Sequence, residues 1–198
     1  MTTPGKSPER LIFFSDGVFA IVITLLVLEL RPPHEATLAA LAGLWPSFVA
    51  YALSYLFLAI VWLNHHHVFE YPEDASRSLV WADFAHLFSV SLVPFTTAWV
   101  ADSELAPLPV ALYAVVFALI NVTYVMLCME AIDRQAAHKV PTAARRVMRL
   151  RSLATSITFV AAAVIAAWYP KVAMALICLC LVVYLRPGAS RIGGSGKA

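Results

Sequence analysis

Long apolar stretches separated by short polar segments make up most of this chain of 198 residues. Each stretch approaches the roughly 20 residues that an α-helix needs to cross the hydrocarbon core of a bilayer. The pattern therefore predicts an all-α membrane protein with six transmembrane helices per chain. The predicted spans are Leu11 to Leu30, Pro46 to Leu63, Leu79 to Val100, Leu108 to Met129, Leu153 to Trp168 and Val172 to Leu185.

The composition supports a membrane protein, because 61% of the residues are hydrophobic and 13% are charged, against roughly 25% charged residues in a soluble domain. The last two spans are short, and we expect them to include flanking residues or to lie where the bilayer is thinner. A short apolar helix is predicted from Thr37 to Leu44. We interpret residues 1–187 as a single six-helix transmembrane domain. Residues 188–198 form a flexible cytoplasmic tail, whose composition also fits a partial remnant of an expression vector.

Positive charge is divided unequally between the two sides of the predicted membrane domain. All of the 14 Lys and Arg residues except Arg31 and Lys171 fall on one side, and cytoplasmic loops retain positive charge. This bias predicts a multi-pass protein of the cell membrane with both termini in the cytoplasm. The fourth loop is the most basic, and we expect it to contact anionic lipid. We do not expect nucleic acid as a partner, since topology and lipid contact account for the positive charge.

Polar side chains enter the first three predicted spans at one depth. All of these side chains lie at the cytoplasmic ends of the spans. The first span contributes Arg10, Ser15 and Asp16, the end of the second contributes Asn64, His65, His66 and His67, and the third contributes Asp83, His86 and Ser89. Because a charged group inside a bilayer requires a partner, we predict one buried network that joins the three spans. The histidines could instead serve in a proton relay or a metal site. Neighbouring helical residues point about 100° apart, however, so three consecutive histidines cannot all face one ion.

The first span carries two distinct stripes. At about 100° per residue, Ala20, Ile23 and Val27 lie near Asp16, whereas Ile21, Leu25 and Leu28 lie on the opposite side. If Asp16 packs inward against the second and third spans, the opposite stripe faces outward. The residues alone leave two readings open for that stripe, contact with lipid and contact with other copies of the chain.

Three ordered motifs carry a family resemblance. The first is Phe14-Ser15-Asp16-Gly17, the second comprises Trp62, Asn64, His65, His66 and Phe69, and the third comprises Ser91, Pro94, Phe95 and Thr97. Together they resemble the endolysosomal potassium channel family called transmembrane protein 175, especially its single-repeat prokaryotic members. The residues interpreted as its structural signature network are Arg10, Phe14, Ser15, Asp16, Trp62, Asn64, His65, His66, Asp83 and His86.

The resemblance implies a homotetramer whose first helix lines a central pore. It places the constriction at Ile21, with further apolar layers at Leu25 and Leu28 and with the hydroxyl of Thr24 at the flank. Potassium ions are then the permeant species, and no cofactor, resident metal or catalytic residue is implied. The chain contains no Thr-Val-Gly-Tyr-Gly segment, so a carbonyl-type selectivity filter is not expected. Selectivity would instead arise at an apolar neck that can also gate by dewetting.

Two other classes of function compete with a potassium channel. A proton-coupled transporter would use Asp16 and the histidine cluster as a relay, although the chain lacks the broken helix or inverted repeat that marks many transporter sites. An intramembrane metal hydrolase would need a His-Glu-x-x-His-like spacing, which the sequence lacks. We therefore do not expect an enzyme.

Overall fold

In the computed structural model, which describes residues 7–185, all regular secondary structure is helical. The helices are α1 (Glu9–Leu28), α2 (Leu38–Gly43), α3 (Trp45–Val68), α4 (Arg77–Ser91), α5 (Val93–Asp102), α6 (Pro107–Cys128), α7 (Thr142–Ala166) and α8 (Pro170–Tyr184). A π-helical segment, Met129–Arg134, extends α6. The predicted tail of residues 188–198 lies outside the described residues, as do Lys6, Arg186, Arg191 and Lys197 of the charge argument.

Five helical segments within residues 7–185 are long and apolar enough to cross a membrane: α1, α3, α4 with α5, α6 with its extension, and α7. The chain is therefore a helical membrane protein. Helix α8 has 15 residues and rises about 22 Å, short of a hydrocarbon core of about 30 Å. The sixth span consequently stays a prediction.

The third predicted span is not one continuous helix. It divides at Leu92 into α4 and α5, and Pro94 stands in the first turn of α5. Proline has no backbone N–H, and its ring clashes with the carbonyl four residues earlier, so it breaks a helix interior. The hydroxyl of Thr97 donates to the carbonyl of Val93 at 2.7 Å, next to this break.

Two helix boundaries differ from the prediction because polar residues continue the helices. Helix α3 extends to Val68 and so includes the histidines that the prediction placed after the span. Helix α7 begins at Thr142, well before the predicted start at Leu153. Ala, Arg, Met and Leu dominate that added segment and are strong helix formers, so the basic end of the fourth loop is helical.

Two groups of buried side chains hold the helices together. The larger lies in the middle of the bundle, where the rings of Phe57 and Phe117 stack and Phe159 meets both edge-on. The smaller joins Leu11, Val68, Leu79, Ile132 and Val140. It brings the start of α1, the end of α3, the start of α4 and the end of the α6 extension to the same end of the bundle.

Candidate functional site

Asp83 is the centre of a buried polar cluster at that end of the bundle. Its Oδ2 accepts a hydrogen bond from the hydroxyl of Ser15 at 2.8 Å, and its Oδ1 lies 2.7 Å from Nε2 of His65. All three side chains are almost fully buried. One carboxylate thus connects α1, α3 and α4, and both of its oxygens have partners, which a buried acid requires.

His86 lies beside this cluster without a hydrogen bond to it. Its ring stacks on the ring of His65 with centroids 5.9 Å apart, and its Nδ1 lies 3.1 Å from the hydroxyl of Thr123 on α6. Phe19 packs against both imidazole rings. The Nε2 atom of His86 has no hydrogen-bond partner within residues 7–185.

Asp16 belongs to a second, more exposed cluster. Nε1 of Trp62 donates to Oδ1 of Asp16 at 2.9 Å, and the indole stacks on the ring of His66. Asn64 turns in another direction and donates from Nδ2 to the hydroxyl of Tyr184 on α8 at 2.8 Å. The predicted single network is therefore divided into separate contacts.

The inward face of α1 differs from the prediction. The buried residues are Leu11, Ser15, Phe19, Val22 and Leu26, so Asp16 lies at the edge of the buried face rather than at its centre. Val27, which was predicted to share the inward stripe with Asp16, is 50% exposed. The prediction centred the inward face of α1 on Asp16, whereas the structure centres it on the adjacent Ser15. The buried face is therefore rotated by about one residue, or 100°, from its predicted position.

Besides Asn64, the signature residues Arg10 and Phe14 lie outside both clusters. The side chain of Arg10 is exposed and has no hydrogen bond or ion pair within the described residues. Phe14 is 53% exposed and meets the ring of Phe84 edge-on, with centroids 5.6 Å apart. Arg10 was predicted to belong to the buried network, but within residues 7–185 the partners of Asp83 are Ser15 and His65.

The outer face of α1 is apolar, and no helix within residues 7–185 covers it. Ile21, Leu25 and Leu28 are 60%, 42% and 71% exposed. Thr24 is also exposed on this helix, and its hydroxyl donates to the carbonyl of Ile21 at 2.8 Å. Such a face can contact lipid, pack against a second copy, or line a water-filled path together with other copies.

A buried hydroxyl cluster was missed by the sequence analysis. The hydroxyl of Ser54 lies 2.6 Å from that of Thr97 and 2.8 Å from that of Tyr113, which connects α3, α5 and α6. Neutral hydroxyls in apolar spans give only a weak signal, because each can donate to its own helix. Within residues 7–185, no group of three His, Cys, Asp or Glu side chains could hold a metal ion.

Comparisons with known proteins agree on one family. Residues 10–94 match the family model described as endosomal/lysosomal potassium channel TMEM175. A protein from Chryseobacterium named potassium channel is 41% identical over 118 residues, covering 60% of this chain and 62% of that protein. Another potassium channel, from Chamaesiphon minutus, is 34% identical over 141 residues, covering 66% of this chain and 70% of that protein. The match to the Chryseobacterium protein thus spans less than two thirds of its length.

Vertebrate relatives and a solved structure extend the comparison. The chicken protein named endosomal/lysosomal proton channel TMEM175 is 36% identical over 83 residues, which is 36% of this chain and 17% of that protein. The solved structure is a crystal structure of a lysosomal potassium-selective channel TMEM175 homologue from Chamaesiphon minutus. It superposes with a TM-score of 0.72 at 28% identity, covering 88% of this chain and 96% of that one.

Proposed function

This chain belongs to the endosomal/lysosomal potassium channel family TMEM175, and from that membership we propose that it forms a potassium-selective cation channel. Proteins of similar sequence are named potassium channels, and the similar crystal structure is that of a potassium-selective channel. The matched residues include α1 from Arg10 onward and the Asp83 cluster.

The observation that carries the proposal is the uncovered face of α1. One side of this membrane-spanning helix carries the exposed apolar residues Ile21, Leu25 and Leu28. The polar residue Thr24 is exposed beside them. An uncovered apolar face of a membrane-spanning helix can contact lipid or neighbouring chains, and membership of a channel family favours neighbouring chains around a common path.

In the proposed channel, four copies place α1 around a central axis. Ile21 forms the narrowest apolar ring, and Leu25 and Leu28 form further rings. An apolar neck admits ions only when it is wetted, so it can gate conduction by dewetting, and it disfavours ions that lose their hydration water less readily. Thr24 would supply a hydroxyl at the flank of this neck.

Single-channel recording in planar bilayers tests the proposal. We expect unitary currents from the purified protein, with a reversal potential close to that of potassium when potassium and sodium are on opposite sides. Smooth, turnover-limited transport without unitary steps would contradict a channel. Unitary currents without a preference for potassium over sodium would contradict the proposed selectivity alone.

Proton permeation, or proton-coupled transport, is the second candidate, and the paired rings of His65 and His86 beside Asp83 favour it. Vertebrate relatives carry the name proton channel. A relay through Asp16 has less support, since the hydrogen bond of Asp16 goes to Trp62 and that of His86 goes to Thr123. A pH-sensitive dye inside potassium-free vesicles separates the two candidates, because proton entry requires no potassium gradient.

We also propose that both termini face the cytoplasm and that the basic end of the bundle lies at the headgroups. The starts of α1, α4 and α7 carry Arg10, Arg77 and Arg145. These three arginines lie at the same end of the bundle. Cytoplasmic segments of membrane proteins retain positive charge, and anionic lipid is available on that side, so we assign this end to the cytoplasm.

A further inference from the structure

The first half of α7 has a basic end that leads directly into an apolar stripe. Arg146 is followed on the same helix face, at alternating spacings of four and three residues, by Leu150, Leu153, Ile157, Val160 and Val164. All five apolar side chains are exposed. From Leu150 to Val164 the stripe rises about 21 Å at 1.5 Å per residue, which is longer than one leaflet of a hydrocarbon core about 30 Å thick.

A cleft lies where the basic end meets the stripe. Its volume is about 330 Å³, and its lining residues are Thr142, Arg145, Arg146, Arg149, Leu150 and Leu153. Pockets for small ligands occupy about 300–1,000 Å³, so the cleft can receive a headgroup. The cleft is amphipathic, because three arginines and two leucines line it.

The ion pairs around the cleft leave positive charge unpaired. Asp133 is the acid next to it, and it pairs with Arg145 at 3.0 Å and with Arg149 at 2.5 Å. Arg146 has no hydrogen bond or ion pair within the part of the chain that the structure describes. The Nε atom of Arg145 is enclosed and likewise has no partner there. Arg145 and Arg149 thus share one carboxylate, and the charge of Arg146 has no acidic partner within residues 7–185.

From this arrangement we propose that the cleft binds one anionic phospholipid, with its phosphate between Arg146 and Arg149 and an acyl chain along the α7 stripe. Guanidinium groups bind phosphate through paired hydrogen bonds, and the leucines next to them would remain exposed beneath a soluble anion. The stripe continues for longer than any headgroup, so the cleft fits a lipid better than free phosphate. The proposal rests on the proposed position of this loop at the headgroups and does not depend on ion conduction.

Native mass spectrometry of the full chain released from detergent tests the site. The probes are phosphatidylglycerol and phosphatidylcholine with identical acyl chains. We expect the wild-type protein to retain phosphatidylglycerol preferentially. The variant Arg146→Gln should bind it about fivefold more weakly, the change that loss of one arginine near an anionic surface produces. Arg146→Lys should keep most of the affinity, since it keeps the charge.

The matched control is Arg77→Gln. Arg77 is an exposed arginine at the start of α4, with no ion pair in residues 7–185 and outside the cleft. If Arg77→Gln weakens binding as much as Arg146→Gln, the attraction is general surface charge and the site is refuted. Equal retention of the two lipids by the wild-type protein also refutes it. Excess inorganic phosphate should not displace the lipid, and complete displacement would assign the cleft to a soluble anion. Unitary currents would be unaffected by any of these results, so the channel proposal is judged separately.

Discussion

Asp83 and His65 form a buried pair between α4 and α3, with Oδ1 and Nε2 2.7 Å apart and with both side chains almost completely enclosed. Ser15 extends the pair to α1. The three residues lie within residues 10–94, the part of the chain that matches the family model. One carboxylate therefore gives the helix proposed to line the pore a buried polar link to both α3 and α4.

Replacing Asp83 with Leu should destabilise the protein. It leaves the imidazole of His65 without its carboxylate partner, and an unsatisfied buried group costs about 1–3 kcal/mol. Ser15 loses its side-chain acceptor but keeps its hydrogen bond to the carbonyl of Leu11. Asp83→Asn should be milder, because an amide of the same shape can bond both groups. The melting temperature in detergent measures the effect. Asp74→Asn is the control, since Asp74 lies in an exposed loop, and an Asp83→Leu variant that melts with the wild type would exclude a structural role for Asp83.

Trp62→Phe and Asp16→Asn should differ in stability although both change the same contact. Phe keeps an aromatic ring beside His66 but removes the donor, which should cost about 0.5–1.5 kcal/mol. Asn keeps an acceptor oxygen for Trp62, so its melting temperature should stay near that of the wild type. The opposite order of melting temperatures would contradict the hydrogen bond between these two side chains.

The potassium selectivity of Asp16→Asn provides an independent measurement on the same sample. Asp16 lies near the buried edge of α1 and away from Ile21 and Leu25, so the ratio of potassium to sodium permeability should not change. A loss of selectivity at an unchanged melting temperature would place Asp16 on the ion path.

Ile21→Asn should raise potassium flux into reconstituted vesicles. A polar side chain at the proposed neck favours wetting, and a wetted neck demands less dehydration, so selectivity should fall at the same time. Val115→Asn on α6 is the matched control, because Val115 is 50% exposed and Ile21 is 60% exposed. Equal flux through the two variants, both assembled, would remove Ile21 from the pore.

Leu28→Cys should cross-link neighbouring chains if α1 surrounds a central axis. The background would carry Ser at Cys128, Cys178 and Cys180, the free cysteines of residues 7–185. Oxidation should then give disulfide-linked dimers on a denaturing gel, while Val122→Cys, exposed on α6, should give few.

Light scattering of the detergent complex should report four chains, and a monomeric mass would contradict the assembly.

Much of the helical plan could be predicted from local pattern. Apolar runs, prolines and charge bias are properties of short segments, so the regions of the long helices and the short α2 were predictable to within a few residues at most ends. The break at Leu92 and the early start of α7 were not predicted. The first depends on how a proline is accommodated inside a long apolar run, and the second on a basic segment that is helical without being apolar.

The sequence by itself determined a helical membrane protein with polar groups at one depth in its first three spans, because the cost of burying polar groups in a bilayer depends on residue type and span length. Only the tertiary structure decided which adjacent residues face inward: Ser15 rather than Asp16, and His65 rather than His66. Helix α1 is apolar on both faces, so hydropathy says little about its rotation. Contacts with α3, α4 and α5 set that rotation, and those contacts form between residues far apart in the chain.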